Sequence, residues 1–300
     1  MTSQTPVAHG APLLSLAEQR YLERLSLAVR KVGHQLGARA GQRRTPAADY
    51  VDRRPYSPGD DRRHIDWHAA ARHAEVLVKI GRAPQATDLH LIIDRSPSLW
   101  RWPGRWRQLK RVAAALGWMA LSQGDRLGAS LAPEDPAASW QPRRGASQAG
   151  AWLAWLAALD GAACERSELG PTMRSWRRLA GSGGLLVLLT DGWLDEDIEA
   201  LLQVPAGRWT VLLCCLQGPA DSLPPAMGAQ TLQDSESGAL LDVNLDSGQV
   251  EAYNTRLAAR SEGLRAIAAA RGHRSLVVLE DDSLEAAVLP FLDLRLASRR

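Results

Sequence analysis

The run Asp94-Arg95-Ser96-Pro97-Ser98 sets one carboxylate and two hydroxyls at alternate positions, and Thr190-Asp191-Gly192 supplies a second carboxylate far along the chain. Each follows a strand-like apolar run, residues 89–93 (interrupted only by His90) and 185–189. Oxygen donors of this kind suit a hard divalent ion such as Mg²⁺ or Mn²⁺. Neutral hydroxyls coordinate without cancelling the ion's charge, which leaves a position for a carboxylate from outside. Asp94, Ser96, Ser98 and Asp191 are therefore the candidate metal ligands. Asp and Ser are also frequent turn and cap residues, so Ser98 and Asp195 have an alternative use in closing helix ends.

The elements that would hold these loops can be read from periodicity. Apolar positions recur every three or four residues from Leu13 to about Gly37, as in an amphipathic helix. Strands are expected at 75–80, 88–93, 126–131, 139–142, 185–189, 209–216 and 275–279, with two short ones between 231 and 242. Helices are expected at 106–121, 147–159, 173–179, 195–202, 251–270 and 283–291. Strands separated by helices of such length point to a doubly wound, mostly parallel α/β sheet covered on both faces. Ligands in such folds sit beyond the carboxyl ends of the strands, where both candidate loops lie.

The chain has 300 residues, a formal charge of +3 and 11 Trp against one Phe. So mild a charge, with no long basic block, argues against a specific nucleic-acid surface. Residues 1–12 read as a disordered tail with no secretory signal, and no apolar run is long enough to span a bilayer. Cys214 and Cys215 are adjacent within a strand-like run, so their side chains should face opposite ways, and Cys164 stands apart. Three such cysteines make no disulfide framework and fit a cytoplasmic location.

Residues 53–67, RRPYSPGDDRRHIDW, are dense in Arg, Asp, Pro and Gly. Guanidinium groups hold carboxylates bidentately, so Arg53, Arg54 and Arg62 with Asp60, Asp61 and Asp66 suit an ion-pair clasp or a partner surface. Tyr56, Ile65 and Trp67 would anchor it. His64, His68 and His73 lack any metalloprotease pattern, and the glycines at 181–184 precede a strand, which is the wrong place for a phosphate cradle. Ser147 lacks the surroundings of a nucleophile elbow. No catalytic constellation emerges, so the chain does not read as an enzyme.

The 53–67 block, followed by Ala71-Arg72, the strand into Ile80, Asp94-x-Ser96-x-Ser98, Gly124-Asp125-Arg126-Leu127-Gly128, residues 188–191 and the acidic turn 234–238, resembles the bacterial DUF58 family. Members of that family resemble von Willebrand factor A domains and are often encoded beside MoxR-type AAA+ ATPases. The resemblance spans roughly residues 35–292. With the tail at 1–12 set apart by its composition, the chain divides into a helical and Arg/Asp-rich module at 13–86 and an expected von Willebrand A-like domain at 87–300. The resemblance also implies a metal site in which Asp94, Ser96 and Ser98 form the first loop and Asp191 the third. The second loop of such sites supplies Thr, and none occurs between Val112 and Pro171, which leaves Ser147 as the candidate substitute. Gly81-Arg82-Ala83-Pro84-Gln85 stands where the family commonly carries acidic residues. The function implied is a metal-assisted adaptor or assembly factor acting with a MoxR-type ATPase on an unknown client. The alternatives are a metal-independent scaffold and a metal-dependent hydrolase.

Overall fold

The structure is a computed structural model that describes residues 12–35, 44–56, 65–67, 76–82, 88–161, 169–181, 183–193, 198–204, 209–222 and 227–298. Expectations for Asp60, Asp61, Arg62, His64, His68, His73, Cys164 and Asp195, and for the tail 1–11, fall outside these residues. In chain order the elements are α1 (Leu16–Gln35), β1 (Arg44–Pro55), β2 (Leu77–Arg82), β3 (Asp88–Asp94), α2 (Pro97–Trp100), α3 (Pro103–Ser122), β4 (Arg126–Ala132) and β5 (Trp140–Arg144). They continue with α4 (Ala149–Ala158), α5 (Leu169–Leu179), β6 (Gly184–Thr190), α6 (Ile198–Leu201), β7 (Trp209–Gln217), α7 (Pro219–Ser222), β8 (Gly228–Gln233), β9 (Leu240–Leu245), α8 (Ser247–Ala270), β10 (Arg274–Leu279) and α9 (Leu284–Ser298).

Two compact units divide the chain. The larger holds a six-stranded sheet in the order β10-β7-β6-β3-β4-β5. All its neighbouring pairs are parallel except the edge pair β4–β5. Side chains alternate along each strand, and the core divides accordingly. Leu89, Leu91, Ile93, Leu185, Val187 and Leu189 enter one cluster, with Leu22 of α1, Leu116 of α3, Trp152 of α4 and Phe291 of α9. Ile92, Leu186 and Leu188 enter the other, with Met173 of α5, Leu201 of α6 and Leu264 of α8. Cys214 belongs to the first cluster and Cys215 to the second, as their adjacency within a strand requires. The architecture is thus mixed α/β, a mostly parallel sheet with helices on both faces.

Two boundaries differ from expectation. The helix α1, grouped by sequence with a leading module, packs with the sheet unit and sends Leu22 into its core, as does Leu14 just ahead of it. Amphipathic periodicity reveals a buried face but not the surface it meets. The helix α8 begins four residues earlier than the pattern suggested, because Asp246 and Gln249 form a reciprocal capping box ahead of the first apolar positions.

The smaller unit spans residues 36–86 and is described through β1 and β2, which pair antiparallel with irregular register between Thr45 and Asp52. Strand β1 was not anticipated, since its Arg, Asp and Pro content masks any alternation. After β1 ends, the Tyr56 amide donates to the Val76 carbonyl at 2.8 Å and the Asp66 amide to the Leu77 carbonyl at 2.8 Å. Ile65 is buried and bridges to Val78. Asp66 is buried and Tyr56 half-buried. Trp67, expected as an anchor, is instead 65% exposed.

In the larger unit a Cβ at Gly117 of α3 would stand 2.2 Å from Trp152 Nε1. That ring is fully buried, stacked on Trp155 at 5.0 Å and edge-on to Trp140 at 5.4 Å, so it has nowhere to go. Overpacking costs about 1–3 kcal/mol, against about 1 kcal/mol gained from alanine's helix propensity. Gly117→Ala should therefore lower the melting temperature, by about 2–4 °C for each net kcal/mol. Thermal unfolding followed by tryptophan fluorescence checks this.

Candidate functional site

Parallel pairing of β3 with β6 sets Ile93 opposite Leu189, so Asp94 and the Thr190-Asp191 pair leave the sheet side by side. Asp94, Ser96, Thr190 and Asp191 are all buried. Asp94 Oδ1 accepts from the Ser96 amide at 2.9 Å, and Oδ2 from the Thr190 hydroxyl at 2.8 Å. Thr190 Oγ1 in turn accepts from the Gly192 amide at 3.3 Å. The first and third loops are thereby joined through side chains.

Ser96 occupies the N-cap position of α2, yet its side chain makes no capping bond. Its hydroxyl meets that of Ser98 at 2.9 Å. Ser98 lies inside α2 and closes no helix end. Helix capping therefore does not account for either hydroxyl, and both belong to the loop beside Asp94.

Asp191 Oδ1 accepts from the Trp193 amide at 2.9 Å, whereas Oδ2 is buried without a hydrogen-bond partner. Burial pushes this carboxyl above its ordinary range. The nearby Ser98 hydroxyl, the Trp193 amide and the Arg105 charge pull it back in part, and Asp221 adds a smaller upward push. A buried, unsatisfied carboxylate oxygen beside two hydroxyls and a second carboxylate is the donor set a hard divalent ion takes. No three His, Cys, Asp or Glu side chains converge among the described residues, so hydroxyls would have to complete the set.

The third loop is fixed from behind. Gly192 has φ of +82°, and a Cβ there would stand 2.9 Å from Cys215 Sγ, so both backbone conformation and space require glycine. Its carbonyl accepts from Arg260 Nε at 3.0 Å and Nη2 at 2.9 Å. That guanidinium also lies 4.7 Å from the centre of the Trp193 ring.

Arg105 is the residue that sequence reasoning missed. It is buried in the first turn of α3, donates from Nη1 to the Ser98 carbonyl at 3.0 Å and from Nη2 to Asp221 Oδ2 at 2.7 Å. Asp221 Oδ2 accepts the Gly218 amide as well, at 2.8 Å, so the loop after β7 reaches the same end of the sheet. Arg105 sits between the exposed Arg101 and Arg107 in the sequence, and nothing in its type or spacing sets it apart. Arg95, adjacent to Asp94, instead reaches the loop after β4, where Nη2 donates to the Pro133 carbonyl at 3.2 Å and lies 3.8 Å from Asp135.

Ser147 does not join the site. It lies in a single 3₁₀ turn, Ala146–Gln148, directly after β5. Antiparallel pairing sets Arg144 opposite Arg126, at the start of β4, whereas Asp94 pairs with Ala132 at its end. The length of a strand, roughly 20 Å, separates them. Thr172 is buried at the correct end, but its hydroxyl donates to the Leu131 carbonyl at 3.2 Å.

A His–Ser contact exists elsewhere, His90 Nε2 to Ser130 Oγ at 2.9 Å. Burial, helped by the Arg126 charge, pushes His90 down to about 3, which makes it a poor base near neutrality. His273 is structural, accepting the Val211 amide at Nδ1 (3.3 Å) and donating from Nε2 to the Leu202 carbonyl (3.1 Å).

Comparison with known proteins now bears on this geometry. Residues 52–263 match the family described as "Protein of unknown function DUF58". The chain belongs to the DUF58 family. Proteins Rv1480 of Mycobacterium tuberculosis H37Rv and Mb1516 of Mycobacterium bovis are each 29% identical to it over 205 residues, 67% of this chain. The alignment spans 65% of those relatives' own length. An aerotolerance-related membrane protein from Bacteroides fragilis aligns over 71% of this DUF58 chain and 99% of its own, at 16% identity and a TM-score of 0.44. BatB from Bacteroides thetaiotaomicron gives the same identity and coverage with a TM-score of 0.42. Among the described residues of the DUF58 chain, no helix is long and apolar enough to cross a membrane.

The raised pKa of Asp191 has a definite sign in stability. The native state binds its proton more tightly than the unfolded chain does, so this carboxyl favours folding at low pH. That contribution is lost as pH rises through the folded-state pKa. In metal-free buffer near neutrality, Asp191→Asn should therefore melt higher than wild type. The gap should close as pH falls toward about 4, and added Mg²⁺ should raise the wild type alone. Thermal unfolding across pH, with and without Mg²⁺, measures this.

Proposed function

We propose that this DUF58 protein is a von Willebrand A-like adaptor that grips a partner protein through a divalent ion. The observation that carries the reading is that the Asp94-Ser96-Ser98 loop is bonded through Thr190 to the third loop, where one buried oxygen of Asp191 lacks a hydrogen-bond partner. Asp94, Ser96 and Ser98 would hold Mg²⁺ or Mn²⁺, with Asp191 bound directly or through water. The ion would supply a positive site able to take an Asp or Glu from the partner.

The chain's own residues prepare that contact. Trp102, Trp193 and Tyr253 are 46%, 41% and 41% exposed. Trp102 lies 5.9 Å from the Arg105 guanidinium, and Trp193 stands two residues after Asp191, its amide donating to that carboxylate. Rigid aromatics at the edge of a charged centre are typical interface anchors. Family resemblance nominates a MoxR-type AAA+ ATPase as the partner, together with an unidentified client, and a cytoplasmic setting.

One observation favours the metal-independent scaffold as runner-up. Arg105 already brings a buried positive charge to Asp191, which could let the fold bind by packing alone.

Capture from bacterial extract separates the two. Wild type in Mg²⁺ should retain a MoxR-type ATPase, and both chelator and folded Asp94→Ala should reduce its recovery at least tenfold. Equal recovery under every condition would establish the scaffold instead.

A further inference from the structure

On the face of the sheet that α5 covers, a cavity of about 140 Å³ opens over β3, β4 and β5, and none of Asp94, Ser96, Ser98 or Asp191 lines it. Strand register sets its floor. His90 pairs with Gly128 and Ile92 with Ser130, so His90 and Ser130 share that face as diagonal neighbours. Gly128 leaves room for the imidazole, since a Cβ there would stand 2.7 Å from His90 Nδ1. Trp176 of α5 forms a wall, its ring 6.0 Å from that of His90, and Trp209 stands edge-on to it at 5.0 Å.

The floor is polar but uncharged. His90 Nε2 and Ser130 Oγ lie 2.9 Å apart, and both residues are half-buried. Burial, with the Arg126 charge, keeps the imidazole neutral down to about 3. A hydroxyl oxygen has two lone pairs and the imidazole takes at most one, so in either tautomer Ser130 Oγ can still accept. Charges stand at the rim and are engaged there. Asp88 lies 3.6 Å from Arg126 and 3.5 Å from Arg144, and the Ser175 hydroxyl donates to the exposed Glu134 at 2.7 Å.

Size, walls and floor each restrict the occupant. A cavity of about 150 Å³ takes up benzene, so the space here suits a single ring. Indole walls favour an aromatic ring, which packs on them edge-to-face or offset. The free acceptor on the floor calls for a donor, and the absence of a charge facing it among the described residues calls for a neutral one. We propose that this cavity is a binding site for a small neutral phenol, its ring against Trp176 and its hydroxyl donating to Ser130 Oγ. The site is separate from the candidate metal loops and stands or falls without them.

The test titrates the full-length chain with phenol, toluene and benzoate while indole N–H signals are followed by ¹H–¹⁵N nuclear magnetic resonance. Phenol should move the Trp176 and Trp209 signals and leave that of Trp118, which packs against the opposite core cluster, in place. Benzoate, of similar size but charged, should move none of them at concentrations where phenol saturates. Ser130→Ala should weaken phenol about two- to tenfold, the worth of one hydrogen bond, and leave toluene binding unchanged. Ser130→Leu, which fills the floor, should abolish both. Chelator should alter none of these results, which keeps the outcome distinct from that of the metal reading.

The inference fails if phenol leaves Trp176 and Trp209 unmoved, if benzoate matches phenol, or if Ser130→Ala binds phenol as tightly as wild type does.

Discussion

The parallel pairing of β3 with β6 is the constraint from which the rest follows. Two parallel strands cannot be joined by a tight turn, so crossover segments have to cover both faces of the sheet. Both strands are consequently rich in buried apolar residues, and carboxylates return where they end. Because they run the same way in register, those ends coincide, and two short loops from distant parts of the chain are forced together. Asp94 and Thr190 then bond directly. The site is a by-product of strand direction before it is a matter of loop chemistry.

Electrostatics at that end are held in balance by Arg105. Three carboxylates, Asp94, Asp191 and Asp221, come from loops after β3, β6 and β7, and a buried guanidinium bonds to one of them and to the Ser98 carbonyl. The arrangement leaves Asp191 undercompensated, with its charged form disfavoured by burial. A buried charge without full compensation is costly. In the metal-bridged proposal, a cation from solution would supply the missing compensation.

Much of this was legible in the residues themselves. The apolar runs ending at Ile93 and Leu189 predict buried strands, and the alternation Asp94, Ser96, Ser98 identifies the loop because its chemistry is local. Ser147 was misplaced because its role depended on which end of the sheet β5 returns to, and strand direction leaves no mark in a five-residue segment. Arg105 escaped for a related reason. Its bond to Asp221 closes a long separation in sequence, and in type it resembles its solvated neighbours. The DUF58 block at 53–67 is the converse case. Its composition is the most distinctive in the chain, yet Trp67 turned outward where its apolar bulk suggested an anchor.

The β8–β9 hairpin and α8 share a junction of one residue, Asp246, whose side chain and amide are both committed to the capping box. The same helix carries Arg260, whose guanidinium grips the Gly192 carbonyl in the third loop. One continuous stretch of chain, from β8 through α8, therefore touches the first loop through Ser98 and the third through the Gly192 carbonyl, so the two loops are tied to each other a second time, independently of the bond between Asp94 and Thr190.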